Sequence, residues 1–166
     1  MGHFRLIVMG KLSKDEIERH FAEDLPYRTG VLLAHHKMTR ESWTAQRGPV
    51  QRLNACFVAS LVVGRTYLSM LGIGKSGNAL APFDVKPDDV TFEDMGGTLV
   101  DVSTLTGDEC ALLLGFIIMA DKAGAHFTLR KSHPWERTHE AIEWIYRHLK
   151  TNLYDAAKRT GLEPWA

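Results

Sequence analysis

The chain has 166 residues, 45% of them hydrophobic and 24% charged, with a formal net charge of zero. That length supports one domain with its own core, and that composition excludes a disordered or low-complexity chain. A balanced charge excludes a protein that binds polyanions over its whole surface.

The charge is nevertheless uneven. From Asp84 to Glu109 there are eight acidic residues and one basic residue, Lys86, between flanks of net +5 and +2. This pattern predicts an acidic surface insertion. Cys56 and Cys110 each lie in an apolar run, so no disulfide framework is expected and a reducing compartment is implied. The apolar run near the N-terminus, Leu6 to Met9, is too short for a signal-peptide core. The longest uncharged apolar stretch, Cys110 to Ala120, is eleven residues, against the roughly 20 of a membrane span. The expected location is the cytoplasm, with no membrane contact.

In chain order, "FRLIVM" reads as a short strand or an extended arm. Ser13 with Glu16 three positions later forms a capping box, and Ile17, Phe21 and Leu25 follow on one face. Pro26 is expected to open a second helix to about Arg40, with Tyr27, Val31, Ala34 and Met38 turned inward. Gly48-Pro49 precedes a third helix that ends near Leu71. It is apolar nearly all round and therefore central. Thr106 and Glu109 form a second capping box before another central helix, to about Gly124.

Pro134 starts the last helix, whose stripe is Trp135, Thr138, Ile142, Ile145, Leu149, Leu153 and Ala156. Its outer face offers Glu143 and Arg147 as an i,i+4 pair, and Gly161 is its expected left-handed end. Residues 72–106 are too many for a structureless loop, and "VTFEDMGGTLVDV" admits a hairpin around Gly96-Gly97. The expected fold is all-α: a five-helix bundle with two central apolar helices and one long loop or β-hairpin insertion at 72–106, forming a single domain over 1–166.

"SMLGIGKSGNAL" contains Gly74-Lys75-Ser76, the end of a P-loop. The motif also needs a glycine where Ser69 stands, and a strand before it rather than a helix. The expected role is instead helix termination by Gly72 and Gly74, with Lys75 complementing the helix dipole.

Arg65 and Asp121 interrupt the two central apolar helices. Charges there need partners, so the pair is expected to meet, with Lys122 and His126 at the edge of the resulting charged pocket. If buried, losing either partner would cost about 3–5 kcal/mol. Lys37, Arg40, Arg47 and Arg52, with Trp43 among them, match a phosphate-binding and base-stacking patch. Of the eight histidines, adjacent His35 and His36 point about 100° apart on a helix and do not chelate together. One of them with His126 is the metal arrangement left open; no cofactor is otherwise implied. No serine lies in a G-x-S-x-G setting.

Three segments, "FVASLVVGRTYLSML", "LLLGFIIMADKAGAHF" and "HPWERTHEAIEWIYRHLK", together less than half of the chain, resemble the HEPN superfamily of small helical bundles. The resemblance implies a protein of a kind common in toxin–antitoxin and phage-defence systems, usually dimeric. Its catalytic members are metal-independent ribonucleases with an R-x(4–6)-H motif. Arg28-x6-His35 has that spacing, with a polar Thr29 after the arginine, although one continuous helix would set the two about 10 Å apart. The functions to be weighed are a non-catalytic binding or assembly module (a homodimer or one with a protein partner), a HEPN-type RNA-binding protein or ribonuclease, and a His-ligated metal bundle.

Overall fold

The computed structural model describes residues 11–45, 50–125 and 135–162, the side chains of 38–51, 53 and 123–136 excepted. The "FRLIVM" segment therefore lies outside the described residues. The chain is mainly α-helical. Its elements are α1 (Lys14–Arg19), α2 (Leu25–Ala45), α3 (Val50–Met70), a hairpin of β1 (Ile73–Ser76) and β2 (Ala79–Pro82), α4 (Gly107–Ala125) and α5 (Trp135–His148).

The first two helices are not separate. A π-helical stretch, His20–Asp24, joins α1 to α2, so the described helices form four rods rather than five. Pro26 lacks an N–H and crowds the preceding turn, and a widened turn immediately upstream accommodates it without breaking the helix. A second π stretch, Leu149–Asp155, extends α5.

Both capping boxes form. Ser13 and Glu16 exchange hydrogen bonds at the start of α1. Thr106 N donates to Glu109 Oε2 at 3.0 Å, and Glu109 N donates to Thr106 Oγ1 at 3.2 Å, at the start of α4. Central α3 packs against α2, α4, α5 and β1 and buries Phe57, Leu61, Tyr67, Leu68 and Leu71. α4 adds Leu112, Leu113, Phe116 and Ile117, and α5 with its extension adds Ile142, Ile145, Leu149 and Leu153. Ala156, the last residue of the expected stripe, is exposed. On the outer face of α5 the ion pair is Arg137–Glu140 at 3.3 Å rather than Glu143–Arg147.

The inward face of α2 differs from expectation. Tyr27 is 73% exposed, whereas Leu25, Thr29, Leu32 and His35 are buried. The cause is α3. Tyr67 Oη donates to the Leu25 carbonyl at 3.2 Å and lies 3.0 Å from Thr29 Oγ1. A buried threonine is tolerated because that hydroxyl meets it. Ser60 Oγ likewise donates to the Val31 carbonyl at 3.1 Å, so α2 and α3 run antiparallel.

The insertion holds the hairpin in an unexpected place. β1 and β2 pair in register Ile73↔Pro82 to Ser76↔Ala79 around a Gly77-Asn78 loop, and Gly72 leaves α3 with φ +84°. Gly74-Lys75-Ser76 is thus strand, its backbone engaged in the ladder rather than facing a phosphate. Residues 92–104 form two short 3-10 turns, Glu93–Met95 and Val102–Thr104, instead of strands. Short side chains satisfy the backbone there: Asp94 accepts from Thr91 N at 2.8 Å, and Asp101 from Ser103 N at 2.9 Å. No helix among the described residues is long and apolar enough to cross a membrane. Neither cysteine forms a disulfide among the described residues, and both are half-buried.

Candidate functional site

Three polar clusters link the elements of the bundle. The first joins α2, α3 and α5. His35 is 2% exposed, and its Nδ1 lies 3.2 Å from His139 Nε2. Two neutral imidazoles satisfy that contact with one proton, one ring donating and the other accepting. The His35 ring packs on Phe57, centroids 4.8 Å apart, and the His36 ring stands edge-on to His139 at 5.0 Å. Burial pushes the His35 imidazole down to about 4, with the charges of His139 and His36 acting in the same direction. The sequence did not single out the partner of His35, because His139 is 104 residues away and sits beside charged neighbours.

His35 and Arg28 do not converge. Arg28 is exposed on the helix while His35 is buried two turns on. His126 lies outside the described residues. Among the described residues no group of three or more His, Cys, Asp or Glu is arranged to hold a metal ion.

The second cluster joins α3, α4 and the hairpin. Arg65 Nε donates to Asp121 Oδ1 at 3.3 Å, and Arg65 Nη1 donates to Ser69 Oγ at 2.8 Å. Lys75, from β1, reaches Asp121 Oδ2 at 3.3 Å. Two cations therefore share one carboxylate. Lys122 is exposed beside them. The expectation of a buried pair needs correction: the Arg65 and Asp121 side chains are 25% and 41% exposed. Both stand at the rim of α3 and α4, where water competes with the pair, so the large penalty for stranding a charge does not apply. Asp121→Asn should cost less than about 1 kcal/mol, with a coupling to Arg65→Gln near 0.5 kcal/mol in a double-mutant cycle of urea melts. A coupling above about 2 kcal/mol would mean that the pair behaves as a buried one.

The basic patch is only partly described. Lys37 and Arg52 are exposed, near the C-terminal end of α2 and the N-terminal end of α3, which the antiparallel packing puts at one end of the molecule. The side chains of Arg40 and Trp43, and all of Arg47, lie outside the described residues.

A third network was not anticipated. Trp144 Nε1 donates to Glu109 Oε1 at 2.9 Å, and His148 stacks on Trp144 with centroids 3.5 Å apart. His148 Nδ1 lies 2.9 Å from the Trp144 carbonyl, which fixes Nδ1 as the protonated nitrogen. Burial lowers the His148 pKa, and the indole N–H and the Thr106 cap lower that of Glu109. The i,i+4 spacing of Trp144 and His148 is the signal that was available. No protein-family model matches the chain, and no characterised protein or solved structure shows significant similarity to it.

Proposed function

We propose that this protein is a non-catalytic, HEPN-like helical bundle of the cytoplasm that works by assembly, as a homodimer through the outer face of α3. The observation that carries the reading is that face. Residues 53–64 contain no charge, and Val62 is 48% exposed although α3 is the central helix of the fold. Ala55 and Val62 are exposed there and Val58 and Ala59 between them half-buried, an uncharged apolar strip that favours association over a solvated role. The burial of His35 away from Arg28 supports the non-catalytic part, since a ribonuclease needs both groups at the substrate.

The test is light scattering. The wild type is expected to be a dimer and Val62→Glu a folded monomer, with no cleavage of mixed RNA by either. A monomeric wild type, or a Val62→Glu dimer, would overturn the reading. One observation favours a second reading, RNA binding: Lys37 and Arg52 are exposed at the same end. That reading requires affinity for RNA that falls steeply with salt and is reduced in Lys37→Glu/Arg52→Glu.

A further inference from the structure

A cleft of about 470 Å³ lies where α1 meets the end of the α5 extension and the Glu93–Met95 turn. Its apolar lining includes Ile17, Met95 and Ala157, and its charged lining is Lys14, Lys158, Arg159 and Glu18. Glu18 is already engaged: Arg159 Nη1 and Nη2 donate to its two oxygens at 2.8 and 2.6 Å. Arg159 is also held over the Phe21 ring, 4.9 Å from its centroid. Asp155, the acidic residue nearest Lys158 along the chain, pairs with Lys150 at 2.9 Å. Lys14, whose charge acts on Glu18 from one turn away, and Lys158 make no close ion pair among the described residues, and three cations against one carboxylate leave the described lining at net +2.

A backbone feature points to the same place. The chain leaves the last helical turn through Arg159 N→Tyr154 O at 2.8 Å and Lys158 N→Asp155 O at 3.1 Å. This is the Schellman arrangement, in which the left-handed residue is most often glycine. Here it is Lys158, at φ +55°, the one positive-φ residue other than glycine among the described residues. A lysine in that conformation is strained, and the strain sets a cation at the cleft.

We propose that this cleft binds a small amphipathic anion, an apolar chain bearing one phosphate or carboxylate head. Lys14 and Lys158 would receive the head, and Ile17, Met95 and Ala157 would cover the chain. Cations beside apolar surface select for both parts at once, because neither inorganic phosphate nor an uncharged detergent offers both.

The probe is monomeric octyl phosphate, titrated by calorimetry against wild type, Lys158→Gly and Lys14→Gln/Lys158→Gly. Lys158→Gly relieves the strained position, so its Tm should equal or exceed that of the wild type while octyl phosphate affinity falls about tenfold. The double variant should lose about a hundredfold. Inorganic phosphate and octyl glucoside should each bind far more weakly than octyl phosphate. Unchanged affinity in the double variant, or inorganic phosphate binding as tightly as octyl phosphate, would overturn the proposal. So would binding to phosphatidic acid vesicles without binding to the monomeric probe, since that assigns the charge to a surface rather than to the cleft.

Discussion

Gly97→Ala should destabilise the protein by about 3 kcal/mol and lower Tm by about 10 °C. A Cβ at Gly97 would stand 2.5 Å from the Asn152 carbonyl oxygen and 3.0 Å from that of Phe92. Both obstacles are backbone, so no rotamer change relieves them. Each carbonyl is also committed: Phe92 O accepts from Gly97 N at 2.7 Å, and Asn152 O accepts from Thr98 N at 2.7 Å. Making room means pulling the insertion off the α5 extension, which breaks those bonds and loosens Phe92, Met95 and Leu153 in the core. Gly96 is the internal comparison. It needs its freedom for a different reason, a φ of +84°, and a Cβ there meets only Ala157 at 3.7 Å. Gly96→Ala should therefore cost only about 1–2 kcal/mol, the penalty of a left-handed alanine. Urea melts of the two variants test the ordering. Near wild-type stability for Gly97→Ala, or a larger loss for Gly96→Ala, would show that the contact between insertion and helix is not rigid.

The same pair of glycines marks the boundary of what could be read in the sequence. Gly96-Gly97 was legible as a special backbone site but suggested a hairpin. What decides between a hairpin and a pair of 3-10 turns is the competition from Asp94 and Asp101 for local N–H groups, and the presence of a helix carbonyl 55 residues downstream. Local signals carried through: both capping boxes depend on residues three apart, and the α5 stripe, from Thr138 to Leu153, depends on helical period alone. The face of α2 was not legible, because Thr29 and His35 look like surface residues until Tyr67 and Phe57 of α3 stand opposite them. Arg65 and Asp121 were legible as a pair because each breaks an apolar helix. Their exposure was not, since it depends on where the helix edges fall. Nor was Lys75, which reaches Asp121 only because the hairpin forms at 73–82.

Stability should fall on mild acidification, and His35 should dominate the loss. Its folded pKa is about 4 against an ordinary value of 6.5. The folded state therefore favours the neutral ring, and the unfolded chain binds the proton first. The contribution is complete above pH 6.5 and disappears as pH falls from there through 4. Such a shift corresponds to roughly 3 kcal/mol in all, with about 2 kcal/mol lost between pH 7 and pH 5. The carboxylates with lowered pKa values, Glu16, Glu18, Asp101 and Glu109, also lose stability in acid, but only below their ordinary values of 4.5 or 3.8. Between pH 7 and 5 these carboxylates contribute little, and the half-buried His148 adds a loss of the same sign. Urea unfolding at both pH values should show the drop in the wild type and most of it abolished in His35→Gln. His139→Gln separates the causes. Burial is the largest of them and the charge of His139 the second, so this variant should keep most of the pH dependence. Equal pH dependence in wild type and His35→Gln would overturn this account: it would mean that His35 takes up its proton in the fold without penalty, donating to the neutral His139 ring across the 3.2 Å contact.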